Sequence, residues 1–140
     1  MWASDEIDSV LTECWQRQGW TMPVAVQNYC VRVLVAHIDR PDWQPKPSWA
    51  ESLLTVKTEP AARALGDSCL FARSVFPSLL KRRGLDSSYL VFIGQSAYDR
   101  VLDSGPEPTT QCLRDNFEFV AEMLWTAVHS RGEFRSLWQD

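Results

Sequence analysis

No glycine-rich phosphate loop, no G-x-G-x-x-G and no C-x-x-C occurs anywhere in the 140 residues. The first two absences remove the backbone cradles that hold nucleotide phosphates, and the third removes the commonest redox and zinc spacing. Only two histidines are present, His37 and His129, and neither has a glutamate three residues before it. The Glu-x-x-His pairs of a di-metal helical bundle are therefore missing. Lysine is scarce too, with three among 14 basic residues, so the chain has no diffuse lysine field for phosphate backbones, and its arginines suit bidentate protein contacts better. A net charge of −4 points the same way. No hydrophobic run approaches the roughly 18 residues needed to cross a bilayer. The first six residues, Met1 to Glu6, are acidic and lack the basic and apolar regions of a secretion signal. Internal repeats and low-complexity segments are absent as well. These absences lead us to expect a cytoplasmic protein with no cofactor, no bound metal and no membrane partner.

The most strongly patterned stretch runs from Glu59 to Tyr98 and reads as two antiparallel helices joined by a glycine turn. Pro60 suits a first helical turn, where its missing N–H costs nothing. After it, Leu65, Cys69, Ala72, Phe76 and Leu79 recur at spacings of 4, 3, 4 and 3, the stripe of a helix facing a core. Arg63, Asp67, Ser74, Lys81 and Arg82 fall on the opposite side. Pro77 interrupts the pattern and predicts a kink or a split, because it cannot donate to the carbonyl one turn back. Lys81, Arg82 and Arg83 crowd the C-terminal end, where cations favour the helix dipole, and Gly84 supplies a left-handed stop. Asp86 is an N-cap for the second helix, with Leu85 and Leu90 placed as a hydrophobic staple. Leu90, Ile93, Gly94, Ala97 and Val101 share its inward face. A helix-interior glycine costs about 1 kcal/mol relative to alanine, so Gly94 marks a place where a neighbouring helix can approach closely, and Gly66 before it reads either the same way or as a tolerated glycine near a helix end.

Within this hairpin, Gly66-Asp67-x-Cys69-Leu70, Phe76-Pro77, Arg82-Arg83, Tyr89 and Gly94-Gln95-Ser96-Ala97-Tyr98 together resemble a block found in a family of uncharacterised bacterial helical proteins. The block covers about 40 of the 140 residues. The resemblance implies an all-α domain of bacterial origin. It brings no assigned activity, so no catalytic residue is carried over from it.

The flanking segments also read as helices. Ser4 or Asp5 opens one to about Gln18, with Ile7, Leu11, Cys14 and Trp15 inward and Gly19 ending it. A second runs from Pro23 to about Ile38. It is rich in valine, but no second strand is available to pair with it, and Val26, Tyr29/Cys30, Val33 and His37 keep helical spacing. Residues 39–47, with three prolines, form a loop. Ser48 and Glu51 sit as a capping box on a short helix to about Val56. After the loop at 104–108, one long helix is expected from Thr109 to Ser130, with Leu113, Phe117, Val120, Leu124 and Ala127 inward. The sum is a compact, single-domain, all-α bundle of five to six helices spanning residues 1–140, built around the kinked central hairpin.

Candidate chemistry is thin. Asp115, Glu118 and Glu122 fall on one side of the last predicted helix and read as a solvated face rather than metal ligands. His37 beside Asp39, or His129, has the chemistry of a general base, but no serine or cysteine stands in a nucleophile context. The four cysteines, Cys14, Cys30, Cys69 and Cys112, read as buried free thiols, ahead of a disulfide or metal site. Of the seven tryptophans, Trp15, Trp49 and Trp125 lie on predicted helices as core residues, whereas Trp43 in the proline-rich loop and Trp138 in the tail are candidates for contact with a partner or a second copy.

These residues point to binding rather than catalysis. The candidate contact surface is the kinked hairpin end, Phe76, Pro77, Arg82 and Arg83, with Tyr89 and Tyr98 nearby. Tyr98 fits equally well as a core residue whose hydroxyl finds a partner at the rim. An apolar ligand in the bundle interior, beside Gly66, Gly94 and an Asp67 paired with an arginine, is the alternative, including a minor enzyme built on such a pocket. A nucleic-acid-associated regulator stands third, because a single basic run on an acidic protein is a weak footprint.

Overall fold

The computed structural model describes residues 4–37 and 48–130, so Trp43 and its loop, and Trp138 and its tail, lie outside the described residues. Among the described residues the chain is all-helical, with eight helices: α1 (Ser4–Arg17), α2 (Val24–His37), α3 (Trp49–Thr55), α4 (Glu59–Val75), α5 (Pro77–Arg82), α6 (Ser87–Leu102), α7 (Pro108–Asp115) and α8 (Phe117–Val128). The expected five to six become eight because two helices break. Pro77 divides the first arm of the hairpin outright: α4 ends at Val75, Phe76 leaves helical geometry at φ −123° and ψ 40°, and α5 restarts on the proline. The expected long last helix breaks at Asn116, also outside helical geometry at φ −119° and ψ 28°. Its side-chain amide donates to the Cys112 carbonyl at 3.0 Å, a local bond of the kind by which asparagine competes with the helical ladder. Asp115 therefore ends α7 while Glu118 and Glu122 belong to α8, and the three do not share one helix face.

Local sequence signals account for the other ends. Ser48 accepts the Glu51 amide proton at 3.1 Å, Thr58 that of Ala61 at 3.3 Å, and Asp86 that of Ser88 at 3.1 Å. Each bond satisfies one of the donors that a helix start leaves open. Gly19 and Gly84 take the left-handed conformation after α1 and α5, at φ 73° and 78°. The valine-rich α2 is helical throughout and buries Val26, Tyr29, Cys30, Val31, Val33 and Leu34.

Helix α4 is the centre of the packing. It lies most extensively against α6, next against α8, and also touches α2, α3 and α5. Surrounded in this way, its second half has no outward face, and every residue from Cys69 to Val75 is buried. Ser74, expected on the polar side, is fully buried and gives its hydroxyl proton to the Leu70 carbonyl at 2.6 Å. Phe76 and Leu79, expected inward, are only half-buried, because the chain has by then left the bundle's axis at Pro77.

The two marked glycines are seats for aromatic rings. A Cβ on Gly66 would stand 2.5 Å from the Tyr98 ring, and one on Gly94 2.4 Å from the Phe117 ring and 3.1 Å from the Cys69 Cβ. Close approach is thus made by side chains rather than by a neighbouring helix backbone. Each hydrogen-sized face admits a ring that fixes the distance between helices: Tyr98 sets α6 against α4, and Phe117 sets α8 against α6. Trp15 closes the bundle from the other side, its buried indole N–H donating to the Met123 carbonyl at 3.0 Å. One cluster of buried side chains draws on all eight helices. No helix among the described residues is long and apolar enough to cross a membrane.

Candidate functional site

The kinked hairpin end carries the least satisfied charge in the described structure. Arg73 lies one turn beyond Cys69 on α4 and is only 8 % exposed. Its Nε is buried with no hydrogen-bond partner among the described residues. One Nη reaches toward Glu122 at 3.5 Å and Glu118 at 3.6 Å, distances at or beyond the edge of a hydrogen bond. Both glutamates are themselves largely exposed. A desolvated guanidinium costs several kcal/mol unless its donors are met, and here they are met loosely.

Two surface hollows meet around this arginine. One, of about 630 Å³, is bounded by Arg73, Pro77, Lys81, Leu85 and Asp86. The other, of about 350 Å³, is bounded by Arg73, Pro77, Ser78, Glu122 and Trp125. Both lie at the break between α4 and α5. Trp125, expected in the core, stands on the rim at 42 % exposure and stacks on His129 at 4.6 Å.

The sequence-derived site residues distribute unevenly around these hollows. Pro77 lines both. Arg82 and Arg83 are exposed and follow directly on Lys81, with no ion pair among the described residues. Phe76 is half-buried, edge-to-face on Phe71 with centroids 5.8 Å apart. Tyr89 is half-buried against the core from the first turn of α6. Tyr98 is elsewhere: fully buried, it points its hydroxyl at Asp67.

That second cluster links three helices. The Asp67 carboxylate takes hydroxyl protons from Tyr29 of α2 at 2.5 Å and Tyr98 of α6 at 2.8 Å, both on the same oxygen, Oδ1. Asp67 is half-buried rather than solvated, and its partners are tyrosines, not the arginine expected from the sequence. Desolvation raises its pKa, against the two hydroxyl bonds and the positive field of His37 and Arg63, which lower it. The same burial, reinforced by the Asp67 charge, pushes both tyrosines above their ordinary range and Cys30 up to about 12. Arg63, one turn earlier on α4, is held by Glu59, by Glu107 at 2.7 Å and by Thr110 at 3.4 Å. Those bonds hold its charge in place and keep the Glu107 carboxyl below the usual range. An open cleft of about 720 Å³ lies over this cluster, between α2, α4 and the start of α7.

The remaining candidates are structural. His37 donates from Nδ1 to the Val33 carbonyl at 2.7 Å and stacks on Phe71. His129 donates in the same way to Trp125, at 2.8 Å. All four cysteines are free, three buried and Cys112 half-buried. Among the described residues no three His, Cys, Asp or Glu side chains converge as a metal cage requires. The space an interior ligand would need beside Gly66 and Gly94 is filled by the rings of Tyr98 and Phe117.

Arg73 was the residue least visible to pattern reading. Its signal was present, since a position four after Cys69 must share the inward face, and an arginine there asks for a partner. The tyrosine–aspartate cluster left no signal of its own, because Tyr29 and Asp67 are 38 residues apart. Set against family models, curated proteins and solved structures, the chain matches none.

Proposed function

We propose that this helical domain is a non-enzymatic adaptor or regulatory module that binds an acidic segment of another protein at the broken end of the central hairpin. The observation that carries the reading is Arg73: a nine-tenths-buried guanidinium, incompletely bonded, at the junction of two hollows. A carboxylate from a partner would complete its donors in a water-poor setting, where such pairs dominate binding energy. Lys81, Arg82 and Arg83 extend the positive charge outward from that anchor and favour the encounter, while Pro77, Leu85 and Trp125 supply apolar walls. Arginine and tryptophan are the residue types in which interface energy concentrates. The same reading puts the protein in the bacterial cytoplasm, where four free thiols stay reduced.

The test is an affinity capture from extract of the native cells, split into nuclease-treated and untreated halves, with wild type, Arg82→Glu/Arg83→Glu, and a control Lys57→Glu at the opposite end of the hairpin. The expected result is a discrete protein, indifferent to nuclease, lost with the double reversal and kept with the control. A partner that vanishes with nuclease, a second copy of the chain alone, or a partner held equally by all three variants would each overturn the assignment.

A further inference from the structure

The cleft above Asp67 is independent of the hairpin end and has a charge pattern of its own. Its floor is the Asp67 carboxylate. Oδ1 accepts both tyrosine hydroxyls, and Oδ2 has no donor among the described residues. One wall is Arg63, whose guanidinium is already committed to Glu59, Glu107 and Thr110. That wall therefore carries two carboxylates against one cation and offers nothing to a bare anion. The opposite rim is Arg32 of α2, exposed, with its guanidinium 5.4 Å from the centroid of the Tyr29 ring and no carboxylate partner among the described residues. Asn28, one turn earlier on α2, also lines the cleft and is exposed.

Two groups thus retain open valence: a carboxylate oxygen at the base and a guanidinium at the rim. Tyr29 fixes their separation. Its hydroxyl end is bonded to Asp67, and its face lies under Arg32, so the two charges stand one ring and two contacts apart. A short molecule with a cation at one end and an anion at the other spans that gap.

We propose that this cleft is a binding site for a small aliphatic zwitterion, with its ammonium on Asp67 Oδ2 and its carboxylate on Arg32. The ammonium supplies the charge-assisted donor that the floor lacks. The carboxylate meets Arg32, which no carboxylate engages among the described residues, and Asn28 lines the same cleft as a further donor. A simple amine gains the floor contact but sits near an unbalanced Arg32. A simple acid gains Arg32 but faces Asp67, Glu59 and Glu107. Burial raises the Asp67 pKa while Tyr29, Tyr98, His37 and Arg63 lower it, and a bound ammonium lowers it further, so binding strengthens as pH rises through the raised value.

Three probes of matched carbon count separate the possibilities: 4-aminobutyrate, n-butylamine and butyrate, titrated into ¹⁵N-labelled full-length protein and followed by amide shifts. The expected result is saturable movement of Asn28, Tyr29, Arg32 and Thr109 with 4-aminobutyrate, and binding about tenfold or more weaker for each half-molecule. Asp67→Asn keeps an acceptor for both tyrosine hydroxyls, and Arg32→Gln alters only an exposed side chain. Each variant should retain the wild-type circular dichroism and weaken 4-aminobutyrate by about tenfold. Equal binding of the three probes, no movement of these amides at the highest soluble concentration, or wild-type titrations from both variants would overturn the site. Because Asp67 and Arg32 lie outside the hairpin-end hollows, failure here leaves the partner-binding reading standing, and the reverse also holds.

Discussion

Replacing Gly94 with alanine should destabilise the protein, although the same change in an ordinary helix stabilises it. Gly94 lies in the interior of α6, where alanine gains about 1 kcal/mol over glycine through backbone entropy and helix propensity. Against that gain stands the Phe117 ring, whose Cε2 and Cζ lie 2.4 Å from the new methyl, with the Cys69 Cβ at 3.1 Å. Carbon atoms rest at about 3.5–4.0 Å, so the ring must retreat by more than an ångström. It has nowhere to go: Phe117 is 1 % exposed and begins α8 directly after the break at Asn116. Overpacking of a filled core costs about 1–3 kcal/mol. An overlap this deep against a trapped ring belongs at or above the upper end, leaving a net loss of about 2 kcal/mol. For a domain of this size that is a fall in melting temperature of roughly 6–8 °C. Urea unfolding followed by far-ultraviolet circular dichroism measures it. Phe117→Leu in the Gly94→Ala background should restore part of the loss, with a favourable coupling of about 1 kcal/mol or more. A Gly94→Ala protein more stable than wild type, by the ordinary helix-propensity increment, would refute the ring-seat interpretation of this glycine.

Four further outcomes follow from the same structure. Asp67→Ala should cost about 2–4 kcal/mol in urea unfolding, since it orphans the fully buried Tyr98 hydroxyl and that of Tyr29, whereas Asp67→Asn keeps both bonds and should cost far less. The two perturbed carboxyls should give opposite pH slopes. Burial raises the Asp67 pKa, so its contribution to stability is full below the ordinary aspartate value and is lost as pH rises through the raised one; Glu107, held down by Arg63, contributes above the ordinary glutamate value and loses its small, solvent-screened share as pH falls through the lowered one. Urea midpoints across the acid range, compared with Asp67→Asn and Glu107→Gln, check both signs. Trp15→Phe should cost about 2 kcal/mol through the lost bond to the Met123 carbonyl and the smaller ring, read from the same unfolding curves. Thiol titration of the native protein should show one fast group, the half-buried Cys112, with Cys14, Cys30 and Cys69 reacting only on unfolding.

Most of the helical framework was legible in the sequence because caps, prolines and the 4-3-4-3 stripe act locally. Ser48 and Asp86 each accept the amide their position predicts, and every inward residue assigned to α6 is buried. Two misreadings have separate physical causes. An amphipathic stripe assumes one solvated face, but α4 is enclosed by its neighbours, so Ser74 and Arg73 are buried where the pattern expected water or said nothing. The break at Asn116 was hidden because the apolar stripe runs straight across it: Leu113, Phe117 and Val120 stay inward on two separate helices. The Tyr29–Asp67–Tyr98 cluster is a product of tertiary packing. The spacing of Gly66, Asp67 and Tyr98 along the chain does not reveal that the glycine seats the tyrosine ring while the aspartate takes its hydroxyl.

Whether the hairpin end meets a partner is tested most directly by a photoreactive side chain placed at Ser78, exposed between the two hollows, with a second at Glu51 of α3 at the far end of the hairpin. Both proteins are irradiated in the native cells, and the crosslinked peptides are identified by mass spectrometry. An acidic peptide of one protein captured from Ser78 alone, and lost when Arg82 and Arg83 are reversed, is the predicted result. Equal capture from both positions, or none from Ser78, would contradict binding at the broken hairpin.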